Sequence, residues 1–177
     1  MKYIGLLRGI NVSGKNKIPM NALKQELENL GIEIVITYLN SGNIIFNSDN
    51  QEPDNLIHEM IRTKFNLDIP VYIIEYQKLK EIVNHKPNWW DTKNKEIYDN
   101  LIFIIKPHTS KEIYEVLGQP KEELEQIKEY QNTIFWSFKL KYYQKTNWWS
   151  KTASTNIKDY ITIRTANTIN KLLDLGK

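Results

Sequence analysis

Gly9, Gly14 and Lys15 fall at the spacing G-x-x-x-x-G-K. In nucleotide-binding loops that spacing folds backbone N–H groups around phosphate and brings the lysine to its outer oxygens. The next residue should be Ser or Thr to hold Mg²⁺, and here it is Asn16. Pro19 predicts a helix start several residues late, which leaves Lys15 outside the first turn. No apolar strand ending in Asp offers a partner for the metal, so the nucleotidase reading is set aside. A looser anion-binding loop stays, with the backbone of Gly9–Gly14 and Lys15 or Lys17 facing an oxyanion. The bland alternative is a solvated loop whose glycines only permit tight backbone angles. Arg8 adds weight to the anion reading. Of 24 cationic residues only Arg8, Arg62 and Arg164 are arginine, and the guanidinium fork does bidentate work that lysine cannot copy.

Asn40-Ser41-Gly42-Asn43 is most simply a hairpin turn, since Asn and Gly tolerate positive φ and their neighbours bond to the local backbone. Topology gives it more interest. If the first two strands run in one direction, the loop after the first and the turn after the second leave the sheet at the same end. Two polar, glycine-bearing segments then converge. Arg164 ends a later strand, with Thr165, Asn167 and Thr168 at a helix start, where anions are favoured; the alternative is ordinary capping by Thr165 and a surface ion pair for Arg164. The candidate ligand-binding set is Arg8, Gly9, Asn11, Gly14, Lys15, Lys17, Ser41, Asn43, Arg164 and Asn167. An enzymatic version would use Arg8, Lys15 and Asn11 or Asn43, but no titratable base is identified and no catalytic residue is assigned.

Other groups read as structural. The pairs Trp89-Trp90 and Trp148-Trp149, if on strands, place one ring in the core and one outside, suited to packing between the halves or a dimer contact, with stacking on bases or rings as the alternative. Phe135, Trp136 and Phe138 read as core. His58, His85 and His108 are scattered without metal-ligand spacing, so no metal is expected. Glu122, Glu123 and Glu125 read as one solvated face. No cofactor motif is found.

The elements that must position these groups follow from apolar periodicity and turn residues. Lys2–Arg8 reads as a buried strand. A helix after Pro19 carries Leu23 and Leu27, the hairpin Ile32–Leu39 and Ile44–Phe46 follows, Pro53 opens a second helix, and Val71–Ile74 is a fourth strand. This β-α-β-β-α-β order is ferredoxin-like and predicts an antiparallel sheet in the order 4-1-3-2. Tyr76–Asn84 reads as a linking helix and His85–Lys95 as a loop. The pattern then repeats: a strand at Leu101–Ile105, a helix with a Thr109/Glu112 capping box, a hairpin of Leu124–Tyr130 and Thr133–Phe138 turning at Gln131-Asn132, whose first arm could equally start as helix after Pro120, a short helix near Thr155–Tyr160, a strand at Ile161–Arg164, and a helix from about Ala166. The expected class is α+β, a tandem duplication of ferredoxin-like subdomains with antiparallel sheets. Its expected parts are 1–75, a link over 76–95, and 96–177.

Three segments resemble the bacterial family known as domain of unknown function 1697. They are Leu6–Met20, Thr37–Phe46 and, more weakly, Thr162–Ile169. The likeness runs from about residue 1 to 175 and implies a tandem of ferredoxin-like subdomains with no assigned reaction. The chain departs from the family pattern at Ser13, where Gly is usual, and at Thr165 and Ala166, where Asn and Trp are usual.

Composition bounds what remains. Without cysteine a disulfide framework, a thiolate zinc site and a thiol nucleophile are excluded. A net charge of +3 falls short of the basic face expected of a dedicated nucleic-acid binder. No run reaches the roughly 18 apolar residues of a membrane span, so a cytoplasmic protein without a membrane partner is expected. Three classes stand open. The first is a binding protein for a phosphorylated small molecule, nucleotide or nucleic acid. The second is an enzyme on a small phosphorylated substrate, and the third is a homodimeric interaction module.

Overall fold

The computed structural model describes residues 1–177. The chain divides into two compact units, one of residues 1–81 with 171–177, the other of residues 82–170.

In the first unit, β1 (Lys2–Leu7), α1 (Met20–Asn29), β2 (Glu33–Tyr38), β3 (Asn43–Asn47), α2 (Pro53–Phe65) and β4 (Val71–Glu75) follow one another. The sheet order is β2-β3-β1-β4, and every neighbouring pair is antiparallel. Alternation along the strands sends Tyr3 and Leu7, Ile44 and Phe46 to the helix-covered face. There they meet Leu23 and Leu27 of α1 and Ile57, Met60 and Ile61 of α2 in one core. Each fully buried side chain of this kind contributes about 1.5–3 kcal/mol. Ile4, Leu6 and Ile45, which point the other way, are buried too. Gly5 belongs in β1 because a Cβ there would lie 2.6 Å from Cγ1 of Ile44.

The second unit repeats the plan. Its elements are β5 (Ile97–Ile104), α4 (Ser110–Leu117), β6 (Glu125–Tyr130), β7 (Thr133–Lys139), α5 (Asn147–Ser154) and β8 (Ile161–Thr165). The sheet order β6-β7-β5-β8 matches the first unit strand for strand. The protein is therefore α+β, with tandem ferredoxin-like subdomains and two antiparallel sheets. The capping box forms, with Glu112 accepting from the Thr109 N–H at 2.6 Å. Gln131 and Asn132 both take positive φ, 46° and 60°, as a two-residue hairpin turn requires. α3 (Tyr76–Asn84) follows the first sheet, and α6 (Ala166–Leu175) follows the second. No helix is long and apolar enough to cross a membrane.

Three expectations are corrected. β5 starts at Ile97, four residues before the apolar run, because Ile97 through Asn100 pair with Lys139 through Trp136 of β7. Trp148-Trp149 lies on α5 rather than a strand, although one ring is still buried and the other exposed. Glu125 is no part of a solvated face. It is 2% exposed, and its carboxylate accepts from the N–H groups of Lys121 at 3.1 Å, Asn147 at 2.5 Å and Trp148 at 3.2 Å, and from Nε1 of Trp136 at 3.2 Å.

Candidate functional site

The segment between β1 and α1 folds back on itself as a miniature hairpin. Val12 and Lys15 form an antiparallel bridge, closed by Lys15 N–H to Val12 O at 2.9 Å. The two residues between them, Ser13 and Gly14, take φ of 50° and 76°, and one step out the Asn11 N–H donates to Asn16 O at 3.1 Å. Nδ2 of Asn16 reaches Gly9 O at 2.9 Å. The N–H groups of Asn11 and Lys15 are thus bonded within the loop, whereas those of a phosphate cradle turn inward to a ligand. α1 begins only at Met20, so Lys15 sits well ahead of the first helical turn, as Pro19 predicts.

The loop and the β2–β3 turn meet at one end of the sheet. Asn11 makes the joint: Nδ2 donates to Ile18 O at 2.9 Å and to Asn40 O at 2.8 Å, while Oδ1 accepts from the Ile18 N–H at 2.9 Å. Gly42 completes it. Its φ is 82°, and a Cβ there would lie 2.6 Å from Cβ of Leu7 and 2.7 Å from Cδ1 of Ile10, while its carbonyl accepts from the Leu7 N–H at 2.8 Å. Asn43 is fully buried beneath the turn, with Nδ2 bonded to Tyr38 O at 2.8 Å and Ser41 Oγ at 3.1 Å. Asn11 and Asn43 therefore shape the site with their amide hydrogens already engaged.

Lysines are what this end presents outward. Lys15 and Lys17 are exposed and Arg8 is half-buried, its backbone N–H held by Pro70 O at 3.1 Å. Residues 1–25 and 34–48, which supply the loop and the turn, contain no Asp or Glu. α1 has no acidic residue in its first turn and no side-chain bond at its N-cap, Pro19, so no charge balances the positive end of its dipole, and the Asn21 carboxamide accepts from the Ala22 N–H at 2.9 Å there. On β4, burial pushes the Tyr72 phenol up to about 12.

Of the predicted set, Arg8, Gly9, Asn11, Gly14, Lys15, Lys17, Ser41 and Asn43 come together in the first unit, whereas Arg164 and Asn167 lie in the second. Arg164 is half-buried, and its Nη1 donates to Thr162 Oγ1 at 3.0 Å and Ile163 O at 2.9 Å. Thr165 caps α6, with Oγ1 accepting from the Thr168 N–H at 3.3 Å. Asn167 lines a cleft of about 600 Å³ with Lys93, Lys95, Asp91 and Asp99. Those carboxylates are held internally. Burial pushes Asp91 up, but hydrogen bonds from Lys93, Asn170 and Lys86 together outweigh it and hold the carboxyl below its ordinary value. Asp99 accepts from the Asp91 N–H at 3.1 Å and from Ser137 Oγ. Sequence reasoning left this cleft in a loop. Its one visible signal was Asp91 directly after the Trp pair, where the chain takes a φ of 60°. No cluster of three His, Asp or Glu side chains is placed to hold a metal ion.

Comparison with known proteins places the chain among uncharacterised relatives. The family described as "Protein of unknown function (DUF1697)" matches residues 1–135. A solved structure described as conserved bacterial protein SP0830 from Streptococcus pneumoniae is 29% identical, with a TM-score of 0.83. That match covers 99% of this chain and 98% of the other. No curated protein matches.

Proposed function

Since the chain belongs to that family of unknown function, membership brings no activity with it, and we propose from geometry that the first unit binds a small phosphorylated anion at its loop end. One observation carries the reading: Arg8, Lys15 and Lys17 stand on a loop that hydrogen bonds have already fixed, in segments without a single carboxylate. A fixed loop supports binding because little conformational freedom is lost when the ligand arrives. Hydrogen bonds from cations to phosphate oxygens are of the charge-assisted kind, about 1.5–3 kcal/mol each. Binding is favoured over catalysis because the segments 8–17 and 40–43 contain no carboxylate and no imidazole to serve as a base.

The test is calorimetric titration of the full chain with inorganic phosphate, a nucleoside monophosphate and a short oligonucleotide. Wild type is expected to bind, and more weakly as salt rises. The double variant Lys15→Ala/Lys17→Ala should bind at least about tenfold more weakly, the loss of roughly one charge-assisted contact. Arg8→Lys keeps the charge, so a loss of affinity there identifies bidentate contact by the guanidinium. No binding by wild type, or equal binding by all variants with an unchanged circular dichroism spectrum, overturns the proposal. Preference for the oligonucleotide over the monophosphate identifies nucleic acid as the ligand.

A further inference from the structure

The second unit departs from the first at its second crossing helix. α2 has 13 residues, about 20 Å at 1.5 Å per residue. α5, its counterpart, has 8 residues and stands between two 3-10 helices, Leu140–Lys145 and Asn156–Asp159. A helix that short leaves part of the sheet uncovered. The gap is a pocket of about 300 Å³ whose lining includes Tyr98, Asn100, Trp136, Trp149, Ile163 and Thr165. It shares Tyr98 and Thr165 with the larger cleft that Lys93, Lys95 and Asn167 line.

Its walls are aromatic. Trp136 is buried, while Tyr98 is 37% and Trp149 39% exposed at the rim. Trp149 is pinned by the rings of Tyr143 at 4.9 Å and Phe138 at 5.8 Å, both edge-on. Asn100 is the carboxamide among the polar wall residues, which also include Thr152 and Thr165. It is 4% exposed, yet its carboxamide makes a single long bond, Nδ2 to Tyr98 O at 3.3 Å. A carboxamide has two donor hydrogens and two acceptor lone pairs, and here Oδ1 has no partner within the protein yet is not sealed off, so it opens to the pocket. The residue's own carbonyl is engaged: Asn100 O accepts from Trp90 Nε1 at 2.8 Å. What is left over is one donor beside one acceptor, at an apolar pocket of the size that takes small ligands.

We propose that this pocket binds a planar nitrogen heterocycle that presents a hydrogen-bond donor next to an acceptor, read by the carboxamide of Asn100 and stacked against Trp149 and Tyr98. An asparagine carboxamide pairs in this way with the N6 and N7 edge of adenine, and aromatic faces hold any such ring. The adjoining cleft gives a substituent on the ring room to extend toward Lys95. The site uses residues of the second unit alone, so it is independent of the anion site and is tested without a phosphate.

The probes are adenine and purine, which differ by the amino donor, titrated into the ¹⁵N-labelled full chain. Adenine is expected to move the Asn100 side-chain and Trp149 indole resonances saturably, with purine at least about tenfold weaker, as for loss of one buried hydrogen bond. Asn100→Ala should bind both rings alike, and Trp149→Ala should weaken both. Absence of saturable shifts at these two side chains, or equal affinity of wild type for adenine and purine, overturns the proposal. Both readings are made on wild type, so they decide the matter even where Asn100→Ala fails to fold; Trp149→Ala changes an exposed rim residue.

Discussion

Asn11 spends three hydrogen bonds on joining a loop to a turn, and Arg8, Lys15 and Lys17 take their positions from that joint. Asn11→Ala removes all three and leaves Ile18 N–H and O without their partner. The expected cost is about 2 kcal/mol, in the range for an unsatisfied, partly buried polar group. Urea unfolding should show it as a lower midpoint with an unchanged slope. The sequence places Asn11 among the candidate ligand-binding residues. It could not see that the amide faces inward, because the partner carbonyls of Ile18 and Asn40 come from the folded geometry. Glu125 failed for a related reason. Beside Glu122 and Glu123 it looks solvated, and only the pairing of Glu125 with Phe138 across the hairpin carries its carboxylate in beside Trp136.

At the scale of elements, that same carboxylate opens α5. The N–H groups of Asn147 and Trp148, in the first turn, both donate to it, so Glu125 on β6 does from a distance what an N-cap residue does locally. Trp148 is fully buried and its Nε1 donates to Gly118 O at 2.9 Å, which fastens the helix from its other side. Glu125→Ala is therefore expected to destabilise the second unit by about 3 kcal/mol, as for loss of hydrogen bonds to a charged group. Glu125→Gln keeps the shape and should cost less. Hydrogen exchange resolved by residue is the measurement: the α5 amides should accelerate most in Glu125→Ala. Regular elements were legible where turn chemistry is local. Asn-Gly-type signals at Asn40–Asn43 and Gln131-Asn132, Pro53 at a helix start and the Thr109/Glu112 box all mark real boundaries. α5 was not, because its anchors lie more than twenty residues upstream.

For the whole molecule, the strand order of each sheet follows from one hairpin and two crossings, and all of these but the α5 crossing were readable in the apolar pattern. The membership of the last helix was not. α6 starts directly after β8 and ends among residues of the first unit, where Leu172 is fully buried, Leu173 O accepts from Tyr76 OH at 2.8 Å, and Lys2 Nζ donates to Gly176 O at 2.5 Å. Gly176 lies so close to Tyr76 that a Cβ would fall 2.5 Å from its ring. Removal of residues 171–177 is expected to cost the first unit about 3 kcal/mol, as for deletion of one fully buried leucine. Amide exchange should then speed up in β1 and β4 and stay unchanged in β5 and β7. That arrangement also has an order in time. A ribosome delivers the chain from the amino end at about 5–20 residues per second. The second unit has its last residue, Asn170, before the first receives Lys171–Lys177. The unit that emerges first is completed last, and until then Tyr76 waits at the surface for a partner still inside the exit tunnel.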